Sequence, residues 1–440
     1  MDAEVAPLLP PTPPAEDTRP RARPRRAETY VVAAFSVLAF VSVTLLSASA
    51  LRRHYAGGGW GAHRHGARSP ASAPPLLGSV PASEALTFAV IGDWGRDGSH
   101  KQTAVAGALA RAAAAHDLRF VVSSGDNFYD GGVDSTGDSQ WRTSFEDVYK
   151  QRSLVHAAWF SVLGNHDHLG NVAAQVDYSG LSRRWTMPAP YYTQTFTLGG
   201  VGGGADAAPG WDVQMVFIDT TPFVRDAYGK AARKLNGQKP DVQLDWLRGV
   251  FANSTADAIV VVGHHNMYTM TTSASLGVPE MRAYIEPVLL AARGKVITYI
   301  SGHEHSLQHL QPYGEWGRGG AAAVASGEAV VHGASPVGGA ATGEGGMDHF
   351  ISGGGSKLDP MTPPSRAKAG MWLHCCGVLA VRGDTDAKSQ GADSPRAVWG
   401  AESHGFYVFE VTREYLAVVA YDEGFNRIYS YERLLGGKRE

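Results

Sequence analysis

The sequence predicts an α/β domain, two packed mixed sheets flanked by helices, carried behind a single N-terminal transmembrane helix. Three observations lead there. Apolar, β-rich runs end again and again in polar, Gly-containing loops: LTFAVIGDWG, LRFVVSSGDN, AAWFSVLGNHD, AIVVVGHH and KVITYISGHEH. That rhythm is the mark of buried strands delivering functional loops at their C-terminal ends. Between them lie alanine-rich helical stretches such as TAVAGALARAAAAH, and the chain closes on GFYVFEVTREYLAVVAYDEGFNRIYSY, whose alternation reads as antiparallel strands.

The N-terminal elements come first. Residues 1–28, rich in Pro and Ala and carrying Arg19, Arg21, Arg23, Arg25 and Arg26, cannot bury a core and read as a disordered cytosolic tail. Residues 29–51 run without a charge, long enough as a helix to cross the hydrocarbon layer of about 30 Å. The competing reading is a cleaved signal peptide, with Ala48-Ser49-Ala50 as the cleavage site. The length of the apolar run and of the tail favour an anchor, and the preceding arginines favour an inside N-terminus. The bulk of the chain then lies outside the cytosol, a single-pass type II arrangement. Glu4-Val5-Ala6-Pro7-Leu8-Leu9 fits an acidic dileucine signal, which implies a sorting adaptor and an endosomal or lysosomal destination, with the cell surface as the alternative.

Residues 52–83 read as a stalk, and the folded domain is expected over 84–435. Within it, about 317–347 is Gly/Ala-rich and reads as an inserted surface loop without chemistry. Asn253-Ser254-Thr255 is a glycosylation sequon. The chain has 440 residues, 44% of them hydrophobic, enough for a substantial core. A formal net charge of −3 shows none of the basic excess of a nucleic-acid binder. The two cysteines, Cys375 and Cys376, are neighbours, which rules out a disulfide framework and reads as a pair of thiols.

Chemistry concentrates at the strand ends. Asp93 lies in IGDWG, Asp126 and Asn127 in SGDNFYDGG, Asn165, His166 and Asp167 in LGNHDH, His264 in VGHHN, and His303 and His305 in SGHEH. Carboxylates, imidazoles and neutral carbonyl oxygens suit a pair of metal ions bridged by one carboxylate. Glycine precedes the ligand in all five motifs, where the backbone is expected to turn sharply. His100, His156, His309, His349, His374 and His404 have no motif around them and read as ordinary surface or core residues.

Together GDWG, GDNFY, GNHD, GHH and GHEH resemble the calcineurin-like metallophosphoesterases. NHDHLGNVAAQVDYSGLSRRWTMPAPYY and QLDWLRGVF narrow the resemblance to the small, tartrate-resistant purple acid phosphatases. The resemblance implies a four-layer α/β/β/α metallophosphoesterase sandwich. It also implies hydrolysis of small phosphate monoesters in acid by water activated on Fe(III) and a divalent ion, Fe, Zn or Mn. Asp93, Tyr129 and His305 would hold the ferric ion, Asn165, His264 and His303 the divalent one, with Asp126 shared. His166 would bind phosphate and protonate the leaving oxygen; Asp167 would orient it, or else is a solvated turn residue. Tyr129 separates this group from the wider superfamily, in which a phosphodiesterase or nucleotide hydrolase with two divalent ions would share the other motifs. The chain departs from the pattern after His264: Asn266 replaces a proline and no histidine occurs between His265 and His303. That leaves His265 as a substitute donor or as a packed residue, and keeps open a catalytically weak metal-binding membrane protein. The family's disulfide is also missing.

Overall fold

The computed structural model describes residues 81–199, 210–224, 238–270, 278–311, 330–332, 347–358, 373–375, 378–380 and 396–435, together with Leu77 and Leu235. The chain divides into two units, Met1–Ser72 and Ala73–Glu440, and all of the described residues belong to the second. The tail, the 29–51 segment, the Glu4–Leu9 motif, nearly all of the stalk, most of 317–347 and Cys376 lie outside the described residues. Among the described residues no helix is long and apolar enough to cross a membrane.

The strands in chain order are β1 (Leu86–Ile91), β2 (Phe120–Ser123), β3 (Ala158–Ser161), β4 (Trp185–Thr186), β5 (Tyr192–Leu198) and β6 (Trp211–Phe217). Then come β7 (Ala258–Val262), β8 (Val296–Ser301), β9 (Leu307–Gln311), β10 (Val330–His332), β11 (Asp348–Ser352) and β12 (Leu373–Cys375). The last are β13 (Val378–Ala380), β14 (Arg396–Ala401), β15 (Gly405–Val411), β16 (Tyr415–Asp422) and β17 (Arg427–Leu434). Four helices bear on the core and the site: α1 (Gln102–His116), α2 (Val172–Tyr178), α3 (Pro240–Asn253) and α4 (Glu286–Ala291).

Two mixed sheets result, in the orders β10-β17-β16-β15-β1-β2-β3-β4 and β12-β13-β14-β9-β11-β8-β7-β6-β5. In the first, β1, β2, β3 and β4 run parallel while β15, β16 and β17 form the expected antiparallel meander against β1. In the second, β6, β7, β8 and β11 run parallel. Within the Gly/Ala-rich segment, Val330–His332 are not loop: they form an edge strand parallel to β17. Cys375 ends β12.

The period-2 pattern decides which face meets which layer. In β7, Ala258, Val260 and Val262 join the cluster between the sheets, whereas Ile259 and Val261 join a second cluster with Leu244 and Leu247 of α3 and Leu289 of α4. Phe160 of β3 faces Phe217 of β6 at 5.7 Å, and Phe409 of β15 faces Phe350 of β11 at 5.1 Å, so the sheets pack face to face. On the outer side of the first sheet α1 buries Val105, Leu109 and Ala112, and His116 Nε2 lies 2.7 Å from the Tyr421 hydroxyl of β16. Pro240 opens α3, where its missing N–H costs nothing.

A buried polar network joins β17 of the first sheet to β9 and β11 of the second. Arg433 of β17 lies 2.7 Å from Asp348 of β11, whose Oδ1 also accepts from the Tyr431 hydroxyl at 3.2 Å and from Gln311 at 2.9 Å. His309, read from sequence as ordinary, sits here with its two ring nitrogens 3.1 Å from Asp348 and 2.7 Å from the Tyr429 hydroxyl. Burial opposes ionisation of Asp348, yet Arg433 and then His309 hold its carboxyl down to about 2. Since that value lies below the unfolded one, the stabilisation is present above about pH 4 and is lost as pH falls towards 2. Asp348→Ala should destabilise the domain by about 3–5 kcal/mol, because Arg433 is left buried without its partner. Denaturant titration at pH 6 checks this, and the gap to the parent protein should shrink between about pH 4 and about pH 2.

Candidate metal centre

Each motif follows a parallel strand, and the five loops come from both sheets. Asp93 follows β1, the Asp126 to Tyr129 loop follows β2, Asn165 to Asp167 follow β3, His264 follows β7, and His303 and His305 follow β8. The centre therefore lies at the seam where the C-terminal ends of the two sheets' parallel strands meet.

The seven metal candidates converge in two halves. In one, the Tyr129 hydroxyl lies 3.0 Å from Asp93 Oδ1, 2.9 Å from Asp126 Oδ2 and 3.1 Å from His305 Nε2. In the other, Asn165 Oδ1 lies 3.1 Å from both His264 Nε2 and His303 Nδ1, and His264 Nε2 is 3.5 Å from Asp126 Oδ1. Asp126 stands between them, one carboxylate oxygen facing each. His264 donates through Nδ1 to the Ser124 carbonyl at 2.9 Å, which leaves the Nε2 lone pair for the centre.

This donor set fits a pair of cations. Asp93 and Asp126 are buried, and the ion pairs they make are to imidazoles of His305, His264 and His166. Burial opposes the charge on Asp126, but His264 and His166 hold its carboxyl below the usual range. Burial and the neighbouring His264 push His303 down to about 4, so its ring stays neutral, as a metal ligand must. Burial, then Asp126 and Asp93, raise the Tyr129 phenol well above its ordinary value; a bound cation reverses that balance.

Positioning these groups strains the backbone, though not where the sequence suggests. Of the five glycines before the ligands only Gly125 has a positive φ, +96°. The left-handed conformation falls instead on ligands themselves: Asp93 at φ 61°, Asp126 at 48° and His303 at 71°, at a cost of about 1–3 kcal/mol each. The glycines supply room. A Cβ on Gly302 would stand 2.6 Å from Asp93 Oδ2, one on Gly125 2.6 Å from His264 Nδ1, and one on Gly164 would collide with the Asp126 carboxylate.

Asp167 needs correction: it neither orients His166 nor is solvated. It is fully buried, and its carboxylate accepts from the backbone of Gly164 at 2.8 Å, of Asn127 at 3.1 Å and from the Gln175 amide of α2 at 2.8 Å. It ties the β2 loop to the β3 loop, and its carboxyl is pushed up to about 6 by burial and then by Asp126. His166 is oriented by another group: its Nδ1 donates to the Asp130 carbonyl at 2.5 Å, and its side chain is 31% exposed. His265 is fully buried. Thr220 Oγ1 accepts from its backbone N–H at 3.0 Å and lies 2.7 Å from its Nδ1. Burial, then His303 and His264, drive its pKa well down, and with His264 and His303 it forms one of the groups whose donor atoms lie close enough together to hold a cation.

Sequence reading missed the buried His168–Asp219 pair at 2.9 Å, the Asn127 amide bonded to Gln175 at 3.0 Å, and Ser356 after β11, whose hydroxyl donates to the Asp93 carbonyl at 2.5 Å. The strand-then-glycine signal is present in FISGGGS but offers no ligand type. Gly164→Ala should strain the two loops and weaken metal binding by about 10–100-fold, since its Cβ would press on both the backbone nitrogen and the carboxylate of Asp126. Metal content of the purified variant measured against increasing chelator checks this.

A family profile described as calcineurin-like phosphoesterase matches residues 86–307. The tartrate-resistant acid phosphatase type 5 of Rattus norvegicus is 33% identical over 255 residues, covering 54% of this chain and 72% of that protein. Purple acid phosphatase 4 of Arabidopsis thaliana is 35% identical over 240 residues, 51% of this chain and 63% of that one. Among solved structures, GAP50, the anchor in the inner membrane complex of Plasmodium, shares the fold with a TM-score of 0.54 at 23% identity, over 81% of this chain and 90% of that one. With the seven donors gathered at the seam of the sheets, these likenesses place the chain in the calcineurin-like phosphoesterase family, within its purple, tartrate-resistant acid phosphatase group, as a metal-dependent acid phosphatase.

Proposed function

We propose that the domain hydrolyses small phosphate monoesters in acid at a centre of Fe(III) and a divalent ion, Fe, Zn or Mn, while anchored to a membrane by residues 29–51. The observation that carries the reading is Asp126 between two half-sites, with a phenol in one of them. Asp93, Tyr129, His305 and one oxygen of Asp126 would hold the ferric ion. Asn165, His264, His303 and the other oxygen would hold the divalent ion. When bound, such a pair supplies activated water at low pH and a Lewis-acid hold on phosphate oxygens.

The protein's own groups do the rest. The Nδ1–H of His166 is committed to the Asp130 carbonyl, so its Nε2 faces the centre, 4.0 Å from Asp126 Oδ2. Reachable from solvent, that nitrogen would donate to a phosphate oxygen or to the departing alkoxide. Asp167 acts through position: it keeps the Asp126 and Asn165 loops in register. The neutral, buried His265 and the absence of a histidine from 266 to 302 favour one second reading, a catalytically weak metal-binding protein. A phosphodiesterase or nucleotide hydrolase with two divalent ions would have no use for Tyr129.

Turnover of an aryl phosphate across about pH 4–8 should be measurable, and Asp126→Asn should lower kcat/KM by about a thousandfold or more. Tyr129→Phe should abolish a broad visible absorption. Equal rates for parent and Asp126→Asn would contradict the enzyme reading, and a colourless iron-loaded parent would contradict the phenolate.

On localisation, the reading is a type II protein with the domain lumenal or extracellular, sorted through Glu4–Leu9 to endosomes or lysosomes. Asn253 is exposed at the end of α3, within its sequon. Asn253→Gln expressed in a glycosylating host should migrate faster by one glycan; unchanged mobility would count against a lumenal domain.

A further inference from the structure

We propose that Arg96 is a positioning residue that holds a positive charge against the ring of Tyr129 and thereby sets the colour and reduction potential of the centre. The inference rests on the proposed iron–phenolate centre. Arg96 follows the first ligand motif, in IGDWGRDG, and no part of the motif reading assigns it a task.

Its guanidinium carbon lies 3.5 Å from the centroid of the Tyr129 ring. Two further contacts fix the guanidinium plane there. Nε donates to the Ser356 hydroxyl at 3.1 Å, and that hydroxyl donates to the Asp93 carbonyl at 2.5 Å. Nη1 pairs with Asp130 Oδ1 at 3.3 Å, and the Asp130 carbonyl in turn receives the Nδ1–H of His166. One side chain thus touches Tyr129 directly and reaches Asp93 and His166 through single intermediates.

A surface ion pair does not explain this placement. The Asp130 carboxylate is 88% exposed and contributes little, whereas the Arg96 side chain is only 12% exposed. What the buried guanidinium faces is a ring whose hydroxyl end sits among the carboxylates of Asp93 and Asp126. Those two raise the energy of electrons on the phenolate; the cation over the ring lowers it, more strongly than it affects a metal farther away. Absorption that moves an electron from phenolate to ferric ion therefore lies at shorter wavelength with Arg96 present. A nearby cation also favours the less positive, reduced metal, so the potential is higher.

The test uses the iron-loaded full chain, with the visible spectrum and the one-electron midpoint potential as readouts. Arg96→Met should move the band to longer wavelength and lower the potential, and Arg96→Lys should recover most of both shifts. Asp130→Asn, which keeps an oxygen for Nη1 to bond but removes the opposing charge, should move the band slightly the other way. These three shifts together support the proposal. If Arg96→Met does not hold iron, opposite displacements in Arg96→Lys and Asp130→Asn decide for it, and unmoved bands decide against it. A coloured parent whose band is unchanged in the Arg96 variants overturns this inference alone. A parent that binds iron without colour overturns the iron–phenolate reading and this inference with it.

Discussion

Everything in this site turns on a buried carboxylate that must serve two neighbours at once. Asp126 presents one oxygen to Tyr129 at 2.9 Å and the other towards His264 at 3.5 Å, and it does so from a left-handed backbone at the end of β2. A buried anion in a strained conformation is doubly unfavourable and persists only where its surroundings fix it. Here they do: the His166 N–H donates to it at 2.8 Å, Gly164 leaves it room, and Asp167 clamps the loops on either side. The two sheets meet at this residue, so the packing that holds them face to face is also what sets the spacing of the donors.

Much of this is legible in the sequence because the code is local. A buried parallel strand needs an unbroken apolar run, and its C-terminal loop is the one place where a polar residue is free of the ladder. That makes Asp93, Asp126, Asn165, His264, His303 and His305 readable, along with the meander of β15, β16 and β17. Other features depend on contacts far apart in the chain, and no pattern announces them. Asp348 meets Arg433 across 85 positions of sequence, Arg96 meets Ser356 across 260, and Val330–His332 find β17 from within a Gly-rich stretch. Asp167 misleads for the same reason: adjacency to His166 suggests a partner, while geometry sends the carboxylate inward to Asn127 and Gln175. The glycines read as turns because φ is what glycine usually relaxes, but at four of the five positions the constraint is the space a Cβ would fill.

The half of the chemistry that handles the leaving group is built differently from the half that holds metals. His166 is partly exposed and pinned by a main-chain carbonyl, so one histidine is in place to donate. The neighbouring His265 is buried against Thr220, and the chain beyond it offers no second imidazole before His303. On the proposed mechanism, proton delivery would fall to His166, which would tie the rate to leaving-group basicity.

The central claim, two cations sharing Asp126 at the seam of the sheets, is tested most directly by locating the metals. Anomalous scattering from crystals of the metal-loaded protein should give two peaks flanking the Asp126 carboxylate. One should lie beside Asp93, Tyr129 and His305, the other beside Asn165, His264 and His303. A single peak, or metals bound without Asp126 between them, would contradict the account.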